Sequence, residues 1–321
     1  MKIWCNGEFG AEGMDLLARG TRGHTLVLSD RRNSSVLAGG QRDPTIAGAE
    51  VAFGQPDPAD CMEGAGLRWI EVSSAGYTRY DNEPFRQAIR ARGAAFTNAS
   101  QVYSDACAEH VLAMMLALAR QLLPSYATQL GDRSWPYEPR RSQSYLLARQ
   151  TVVMLGFGSI GRRLSELLAP FGMRIYALRR QVRSEPGVLM VPEESLTRVL
   201  AEADHVVNVL PENEATLNYV NARRIACFKP GARFYNVGRG PTVDQTALVE
   251  GLKSGRVGAA YLDVMVPEPL PPSHPLWSAP NCFITPHTAG GRNNVNEELV
   301  RHFLANLAAF EKGLAMADRI L

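Results

Sequence analysis

Short apolar runs alternate with longer segments of helical periodicity along the first hundred residues of the chain. The apolar runs cover residues 26–28, 51–53, 69–72 and 95–97, and the helical segments lie near residues 11–19, 58–65 and 82–91. Strands that alternate with helices join into parallel sheets, because each parallel crossover needs a connection about as long as a helix. The pattern therefore predicts an α/β domain with a parallel sheet in this part of the chain.

The same alternation resumes at residue 151 and continues almost to the end of the chain. Strand candidates cover residues 151–155, 174–178, 205–209, 233–236, 258–262 and 282–285, with helical segments between them. Six strands in such a series are typical of a doubly wound dinucleotide-binding sheet. The residues from Asn294 onward predict an Ala/Leu-rich helix followed by a tail.

A long apolar segment between the two series predicts one helix over residues 104–122. Ser104 and Asp105 are suitable capping residues at its start, and Pro124 favours its end. Apolar side chains occur nearly all round this helix, so we expect it to be buried on several sides, at a domain boundary or a subunit interface. Residues 131–145 contain glycine, two prolines and several Arg and Tyr, and predict an irregular, exposed segment.

Length and charge restrict the classes of protein that fit. A chain of 321 residues is long enough for two domains of ordinary size. The 34 basic and 32 acidic residues give a net charge of +2, which provides no electrostatic footprint for nucleic acid or an anionic membrane. The longest apolar run, residues 111–119, has about half of the ~20 residues that a membrane span needs. We therefore expect neither nucleic acid nor a membrane as a partner.

The N-terminus and the cysteines favour a cytoplasmic protein. Residues 1–6 contain no apolar run and Glu8 follows closely, so we expect no signal peptide. The five cysteines are an odd number without a C-x-x-C pair or a histidine at zinc-finger spacing. We therefore expect reduced thiols, no disulfide framework and no metal site.

A glycine-rich segment follows the first strand of the second series. It reads T-V-V-M-L-G-F-G-S-I-G-R-R-L, which is a strand, the G-x-G-x-x-G pattern and the start of a helix. Gly156 permits a tight turn, Gly158 lets the backbone approach a pyrophosphate, and Gly161 lets the helix pack closely on the strand. The amides of Ser159 and Ile160 lie at the positive end of the helix. Because strand and helix flank the glycines in the right order, the segment predicts a dinucleotide site rather than a chance glycine-rich turn.

The end of the second strand in this series indicates the type of dinucleotide. NAD sites carry an acidic residue about 20 positions after the glycines, but this chain has Arg179 and Arg180 there. Guanidinium groups would pair with a 2′-phosphate, and a hydrogen bond to a charged group contributes about 1.5–3 kcal/mol. The sequence therefore predicts a roughly 10–100-fold preference for NADP, with NAD possible. The alternative is that both arginines form an exposed strand end.

Three segments near the end of the second series carry acid–base chemistry. They read N-V-G-R-G-P around Arg239, L-D-V-M-V-P-E-P-L around Glu268, and T-P-H-T-A-G around His287. Each lies at or directly after a predicted strand, and strand ends of an open α/β sheet face the ligand crevice. A single histidine, or an arginine between glycines, is more often structural. Three such groups behind a dinucleotide loop favour a catalytic site.

Together these segments resemble the NAD(P)-dependent D-2-hydroxyacid dehydrogenases, and among them the glyoxylate/hydroxypyruvate reductases. The resemblance covers nearly the full chain. It rests on the N-x-G-R-G, L-D-V-(x)n-E-P-L and P-H-x-A-G segments, on the phosphate loop, on V-S-S-A-G-Y at 72–77, on A-E-H at 108–110 and on L-P-(x)4-T at 210–216.

The resemblance implies a role for each residue of the acid–base set. Arg239 would bind the substrate carboxylate and polarise the 2-carbonyl. His287 would protonate that oxygen in reduction, or take the hydroxyl proton in oxidation. Glu268 would bind the other imidazole nitrogen, fix the tautomer and make the ring more basic. Formate dehydrogenases similar to this family carry Gln at the position of Glu268, so the carboxylate favours a substrate with a carbonyl or hydroxyl oxygen.

The resemblance also implies the binding residues. The substrate-binding residues would be Ser74, Ala75, Gly76 and Arg239, with the amides of Ala75 and Gly76 completing the carboxylate cradle. The cofactor-binding residues would be Gly156, Gly158, Ser159, Ile160, Gly161, Arg179, Arg180, Leu210, Pro211, Val237, Asp263, His287 and Gly290. Asp263 would hold the carboxamide of the nicotinamide.

The fold implied by the family consists of two doubly wound parallel-sheet domains, a Rossmann coenzyme domain inserted into a discontinuous flavodoxin-like substrate domain. Residues 1–98 and 288–321 would form the substrate domain, and residues 99–287 the dinucleotide-binding domain. The two crossings would act as hinges, so that closure brings residues 74–77 over the nicotinamide and excludes water. The long apolar helix, together with the usual assembly of the family, implies a homodimer.

The predicted function is hydride transfer between NADPH and a small 2-keto acid of the glyoxylate or hydroxypyruvate type, which gives a D-2-hydroxy acid. Two alternatives stay open at this point. One is an NAD-preferring dehydrogenase of another 2-hydroxy acid. The other is a nucleotide-sensing binding protein of the corepressor type, which would not need the acid–base set that this chain carries.

Overall fold

The computed structural model describes residues 1–33, 39–179 and 184–321, and the chain falls into two compact units. Met1–Tyr103 and Gly291–Leu321 form the first unit, and Ser104–Gly290 forms the second. The chain therefore passes between the units twice, near residues 103 and 290. The functional domain limits of 1–98 with 288–321, and of 99–287, stay a prediction.

Strands and helices alternate along both units. The strands are β1 (Lys2–Gly7), β2 (Thr25–Asn33), β3 (Val51–Gly54), β4 (Trp69–Val72), β5 (Ala95–Thr97), β6 (Thr151–Leu155), β7 (Arg174–Leu178), β8 (Val188–Val191), β9 (His205–Asn208), β10 (Ala232–Asn236), β11 (Val257–Leu262) and β12 (Cys282–Ile284). The helices are α1 (Gly10–Gly20), α2 (Pro58–Glu63), α3 (Glu83–Ala91), α4 (Ser100–Ala119), α5 (Leu122–Leu130), α6 (Tyr137–Gln143), α7 (Ser159–Leu168), α8 (Leu196–Leu200), α9 (Ala222–Ala226), α10 (Gln245–Lys253) and α11 (Val295–Glu311).

The strands of the first unit pair in parallel, in the order β2-β1-β3-β4-β5. This is the 2-1-3-4-5 order of a flavodoxin-like sheet, so the predicted α/β fold is confirmed. The interior strand β1, between β2 and β3, was not predicted, because the polar Asn6 interrupts the apolar pattern that Ile3 and Trp4 begin. The buried Asn6 side chain pairs with the backbone of Gln55 at 2.7 and 2.8 Å, which satisfies its amide inside the core.

An aromatic stack joins α11 to this sheet. Phe303 of α11 stacks on Phe53 with ring centroids 4.2 Å apart and on Trp69 at 5.1 Å. Phe9 stacks on the same Phe53 ring at 4.8 Å. All four rings are buried, and a fully buried side chain of this kind contributes about 1.5–3 kcal/mol. The C-terminal helix is therefore part of the core of the first unit.

A buried charged cluster ties α11 and the C-terminal tail to β4. The fully buried Glu71 carboxylate lies 3.1 Å from His302 Nδ1 and accepts a hydrogen bond from Asn306 at 2.7 Å. His302 Nε2 lies 3.2 Å from the Asp318 carboxylate. Burial alone would lower the pKa of His302, but the two carboxylates outweigh it and raise the pKa to about 9.

We expect this cluster to make the first unit less stable at alkaline pH. Because the pKa of His302 is about 9 in the folded chain and ~6.5 when unfolded, its stabilising contribution is complete below about pH 6.5. That contribution, on the order of 3 kcal/mol, is lost as the pH rises through about 9. Thermal melts between about pH 6 and pH 10 should show wild type and His302→Gln converging at the alkaline end. If the melting temperatures of wild type and His302→Gln changed in parallel with pH, the stabilising role of the charged His302 would be contradicted.

The seven strands of the second unit are also parallel, in the order β12-β11-β10-β9-β6-β7-β8. The strand order reverses between β6 and β9, and ligands of such sheets bind in the crevice at the carboxyl ends of these strands. The six predicted strands are present. The edge strand β8, which reads V-L-M-V and whose middle two residues are not buried, was not predicted.

The part of the chain between β5 and β6 differs from the sequence prediction in several places. Helix α4 ends at Ala119, before residue 122, and Pro124 lies inside the next helix, α5. Helix α4 begins at Ser100 instead of Ser104. The Asn98 side chain accepts hydrogen bonds from the Ser100 amide and hydroxyl, and so caps the helix one turn earlier. Residues 131–145 are mostly exposed, as predicted, but they are not irregular throughout, since they contain the short helix α6.

By length and composition alone, α4 is also apolar enough to cross a membrane, and it is the one such helix in the described residues. The sequence predicted no span because the apolar run at 111–119 is short on its own. The helix that forms is longer, since it starts at Ser100. Core helices of globular proteins pass the same test, so this property does not identify a membrane protein.

Candidate active site

The phosphate loop joins β6 to α7 at the carboxyl end of β6, an interior strand of the sheet. Gly156 has a φ of +94°, a conformation that L side chains rarely adopt. Helix α7 begins at Ser159, so the positive end of its dipole lies at this loop. A Cβ at Gly161 would lie 3.2 Å from the Phe157 ring, which shows how closely the helix approaches the residues after β6.

The loop fits the pyrophosphate of a dinucleotide. A Cβ added at Gly158 would meet no protein atom within 4 Å, so packing does not require glycine there. Open space in front of a helix N-terminus is what a phosphate group needs to reach backbone amides. The amides of Ser159 and Ile160 would hold the phosphate, and the bare backbone of Gly158 would let it approach.

Arg179 directly follows β7, the strand that pairs with β6. Its side chain is half-buried. Arg180 lies outside the described residues. Arg179 therefore lies at the same sheet edge as the phosphate loop, because that loop follows β6 and Arg179 follows the neighbouring strand β7.

A buried polar network holds the backbone around Arg239 at the end of β10. The Asn208 amide donates to Thr242 Oγ1 at 2.7 Å and to Asn236 Oδ1 at 3.0 Å. Thr242 Oγ1 in turn donates to the Arg239 carbonyl at 2.6 Å. Asn236 Oδ1 also accepts from the Gly238 amide at 3.2 Å. These bonds fix the turn on both sides of the arginine.

The Arg239 guanidinium is half-buried and donates to the Gly238 carbonyl at 2.7 Å. Burial lowers the pKa of Arg239, while the nearby groups Cys107, Glu212 and Glu268 oppose that shift. The side chain remains a cation at neutral pH, and its planar set of N–H donors suits a carboxylate.

His287 and Glu268 form a hydrogen-bonded pair. His287 Nδ1 lies 2.7 Å from Glu268 Oε2, and Glu268 Oε1 accepts from the Met265 amide at 2.9 Å. Burial alone would raise the pKa of Glu268, but the bonds from His287 and Met265, with the charge of Arg239, hold that pKa below its ordinary value. The ionised carboxylate accepts a hydrogen bond from Nδ1–H, which leaves Nε2 for proton transfer.

Asp263 shapes the loop that carries His287. Its buried carboxylate accepts from the amides of Thr288 at 2.8 Å and Ala289 at 3.0 Å, and from Thr285 Oγ1 at 2.5 Å. The Asp263 carbonyl accepts from the His287 amide at 2.9 Å. His287 has a φ of +55°, which is uncommon outside glycine, and these bonds hold it there. The contact of Asp263 with a carboxamide stays a prediction.

The remaining cofactor-binding candidates lie at the same sheet edge. Leu210 and Pro211 follow β9, Val237 follows β10, and Gly290 belongs to the loop after β12. A Cβ at Gly238 would lie 2.8 Å from the Leu210 carbonyl oxygen, so the loops after β9 and β10 approach closely. Thr216 Oγ1 donates to the Pro211 carbonyl at 2.7 Å and fixes the first of these loops.

In the first unit, the loop after β4 presents two neighbouring amides. The carbonyls of the four residues 73–76 each accept a hydrogen bond. The Tyr103 hydroxyl donates to Ser73 at 2.8 Å and the Ala99 amide donates to Ser74 at 3.1 Å. The Asn98 side chain donates to Ala75 at 2.8 Å, and Ser74 Oγ donates to Gly76 at 2.6 Å. Gln55 Nε2 donates to Ser74 Oγ at 3.0 Å. Among the described residues, the Ala75 and Gly76 amides meet no acceptor, so they can donate to an anion.

The second unit thus combines three kinds of group at one sheet edge: a phosphate loop, the Arg239 cation and the His287–Glu268 pair. Such a set can bind an anion, stabilise negative charge on an adjacent oxygen and transfer a proton. In the ranges that the structure describes, no three His, Cys, Asp or Glu side chains are grouped as metal ligands would be.

Several residues that shape this site are missing from the sequence prediction: Asn208, Glu212, Thr242, Gln245 and Thr285. Thr285 lies two residues before His287 and ends a predicted strand, so its position in the sequence could have identified it as a site residue. Asn208 and Asn236 are register partners on neighbouring strands. That relation becomes visible only when the strand order is known.

Comparison with known proteins places the chain in a family. A family model described as "D-isomer specific 2-hydroxyacid dehydrogenase, NAD binding domain" matches residues 112–289. The chain is 31% identical over 239 residues to a glyoxylate reductase of Pyrococcus furiosus, covering 73% of this chain and 70% of that protein. It is 30% identical over 260 residues to a glyoxylate reductase/hydroxypyruvate reductase of Mus musculus, covering 80% of this chain and 78% of the relative.

A solved structure agrees with this assignment over the whole chain. The crystal structure of a D-isomer specific 2-hydroxyacid dehydrogenase from Xanthobacter autotrophicus Py2, in complex with NADPH and MES, superposes with a TM-score of 0.83. The two chains are 25% identical, and the match covers 100% of this chain and 98% of the other.

The chain therefore belongs to the D-isomer specific 2-hydroxyacid dehydrogenase family, as its motifs predicted. It is an oxidoreductase of that family, and its cofactor is a nicotinamide dinucleotide. The region that the family model matches contains the phosphate loop, Arg179, Arg239, Glu268 and His287.

Proposed function

We propose that this chain reduces small 2-keto acids of the glyoxylate and hydroxypyruvate type to D-2-hydroxy acids, with NADPH as the preferred cofactor. The observation that carries the proposal is the 2.7 Å contact between His287 and Glu268, on the sheet edge that also holds Arg239 and the phosphate loop. A keto acid offers these groups a carboxylate to bind and a carbonyl oxygen to protonate. The glyoxylate reductase names of two relatives support this substrate class.

The chain's own residues would bind and polarise the substrate. Arg239 would place its planar N–H groups on the carboxylate and on the adjacent carbonyl oxygen, where negative charge develops. The amides of Ala75 and Gly76, in the loop that Ser74 helps to fix, are proposed as further donors to the carboxylate. The reduced nicotinamide, when bound, supplies the hydride that the carbonyl carbon accepts.

His287 would deliver the proton to the same oxygen. Its Nδ1 stays bonded to Glu268, so Nε2 is the atom that donates the proton in reduction and accepts it in oxidation. The ionised Glu268 stabilises the imidazolium before transfer. After transfer it keeps the neutral ring in the Nδ1–H tautomer, ready to be protonated again at Nε2.

The preference for NADPH rests on Arg179 and on Arg180. The structure describes Arg179, at the end of β7, where an acidic residue would serve NAD. The relative from Xanthobacter autotrophicus was crystallised with NADPH, which supports the same assignment.

Arg179→Ala is expected to raise KM for NADPH about 10–100-fold and KM for NADH by less than about threefold, because only NADPH carries the 2′-phosphate. Steady-state kinetics with each cofactor measure both constants. Arg174→Ala, an exposed arginine at the opposite end of the same strand, is the matched control. Equal increases in KM for NADPH and NADH would show that Arg179 does not bind the 2′-phosphate.

The experiment that tests the function measures oxidation of NADPH and of NADH by the purified chain, with glyoxylate and with hydroxypyruvate. Faster turnover with NADPH supports the whole proposal. Faster turnover with NADH retains the acid–base assignment and overturns the cofactor preference. Absence of turnover with these acids and with a wider panel of 2-keto acids overturns the function.

We further propose a cytoplasmic homodimer. Helices α5 and α6 and the residues beside them carry exposed large apolar side chains: Leu122, Tyr126, Leu130, Trp135, Tyr137 and Leu146. Exposed apolar groups in such number favour a protein interface. The five cysteines are all thiols, which suits a reducing compartment. Light scattering on the purified chain distinguishes the dimer from a monomer of 35.1 kDa.

A further inference from the structure

The segment that carries Glu268 has few backbone hydrogen bonds to hold it. Residues 266–272 read V-P-E-P-L-P-P, and the four prolines have no amide hydrogen to donate. Of the three remaining amides, the described part of the chain gives a partner to that of Val266 alone. A cavity of about 590 Å³ borders the segment, with Gln245 and Val266 in its wall. The position of Glu268 therefore depends on a small number of contacts.

One side chain holds both polar groups of Val266. Gln245 Oε1 accepts from the Val266 amide at 2.9 Å, and Gln245 Nε2 donates to the Val266 carbonyl at 2.5 Å. Gln245 is the first residue of α10, and the Asp244 side chain caps that helix by accepting from the Ala247 amide at 3.0 Å. The two bonds thus attach the segment to a fixed helix end.

We propose that Gln245 is a positioning residue for the acid–base pair, which holds Val266 so that the Glu268 carboxylate stays on His287 Nδ1. The path between them is short. Met265, next to Val266, donates its amide to Glu268 Oε1 at 2.9 Å, while Oε2 lies 2.7 Å from Nδ1. Without the two bonds from Gln245, the segment moves and the carboxylate leaves Nδ1.

The tautomer of His287 reports this position directly. A neutral imidazole carries its proton on the nitrogen that has the better acceptor, and here Glu268 provides that acceptor for Nδ1. Loss of the carboxylate from Nδ1 therefore shifts the proton toward Nε2. The inference relies on the proposed function only for its kinetic consequence, because the tautomer can be measured without substrate.

The test is ¹⁵N NMR of the full-length protein labelled with ¹⁵N-histidine, at a pH where the ring is neutral. The shifts of the two ring nitrogens give the tautomer, and loss of the resonance in His287→Ala assigns it. Gln245→Met keeps the length of the side chain but removes both hydrogen bonds. Thr246→Ala, at the next and exposed residue of α10, is the matched control. Glu268→Ala gives the full effect of losing the acceptor.

Wild type and Thr246→Ala should show the Nδ1–H tautomer, and Gln245→Met should shift toward Nε2–H, in the direction of Glu268→Ala. We expect kcat for keto-acid reduction to fall about 5–20-fold in Gln245→Met, with KM changed by less than about twofold. Gln245→Glu keeps the acceptor for the Val266 amide but loses the donor, so it should lie between wild type and Gln245→Met. It also serves as the test variant if Gln245→Met does not fold.

An unchanged tautomer in Gln245→Met, whether or not its melting temperature falls, overturns the proposal, because Gln245 would then have a purely structural role. A shifted tautomer in a chain whose wild type turns over no keto acid leaves the positioning role in place. That result overturns the proposed function instead, so the two failures are distinguishable.

Discussion

Replacement of His287 by alanine is expected to lower kcat for keto-acid reduction by about 10²–10⁴-fold, the loss that follows removal of a general acid. The reason is geometric: Nδ1 is bonded to Glu268 at 2.7 Å, so Nε2 is the atom that would donate the proton to the carbonyl oxygen in the proposed reaction. Oxidation of NADPH at saturating glyoxylate or hydroxypyruvate measures the effect. Because the side chain is not fully buried, the melting temperature should change little.

His274→Asn is the matched control for this change. His274 lies in the same unit, where its Nδ1 accepts from the Leu276 amide at 3.3 Å, and an asparagine can serve as the same kind of cap. Its kcat should stay within about twofold of wild type. If His287→Ala kept more than about a tenth of the wild-type kcat, His287 would not be the general acid.

Arg239→Met is expected to lower kcat/KM for the keto acid by about 10²–10⁴-fold, because in the proposed function the arginine would make charged hydrogen bonds to the carboxylate and stabilise charge at the carbonyl oxygen. Both constants should change, with KM raised through lost carboxylate binding and kcat lowered through lost charge stabilisation. Arg239→Lys keeps the charge without the planar donor set, and should lose less.

The melting temperature separates this effect from misfolding. Burial lowers the pKa of Arg239, so the protein bears a desolvation cost for this cation, and its removal should not destabilise the fold. Arg223→Met, an exposed arginine of α9, is the control and should retain wild-type kinetics. An unchanged KM in Arg239→Met would exclude the arginine as the carboxylate anchor.

The fold followed from the sequence wherever a strand has a continuous apolar run. The strands β6, β7, β9, β10, β11 and β12 are of this kind, and their succession indicated a doubly wound sheet. The strands β1 and β8 were not predicted, for different reasons. In β1 a buried Asn6 binds the backbone of Gln55, 49 residues away, so the polarity of this position reflects a tertiary contact. The strand β8 reads V-L-M-V and is apolar throughout, but its place at the edge of the sheet, with its middle two residues not buried, became visible only in the structure.

The candidate site likewise contains residues that the sequence predicts and contacts that it does not. Arg239, Glu268 and His287 could be predicted because each lies in a loop just after a strand, so local sequence determines which sheet edge it occupies. The hydrogen bonds that hold these three residues in place could not be predicted. The bond from the Thr288 amide to the Asp263 carboxylate and the two bonds between Gln245 and Val266 join residues more than 20 positions apart in the chain. Such contacts depend on strand order and register, which the pattern of apolar residues does not specify.

A ribosome completes the second unit of this chain before the first. When residue 290 has been made, Ser104–Gly290 is whole, whereas β4 still carries Glu71 without His302 and Asn306. At that stage the Glu71 carboxylate has the Thr97 hydroxyl as a donor, at 2.9 Å, but lacks its cationic partner, and a buried carboxylate whose cationic partner is missing costs about 3–5 kcal/mol. The core of the first unit therefore stays incomplete until α11 has been made, so that a segment synthesised late completes the folding of an earlier one.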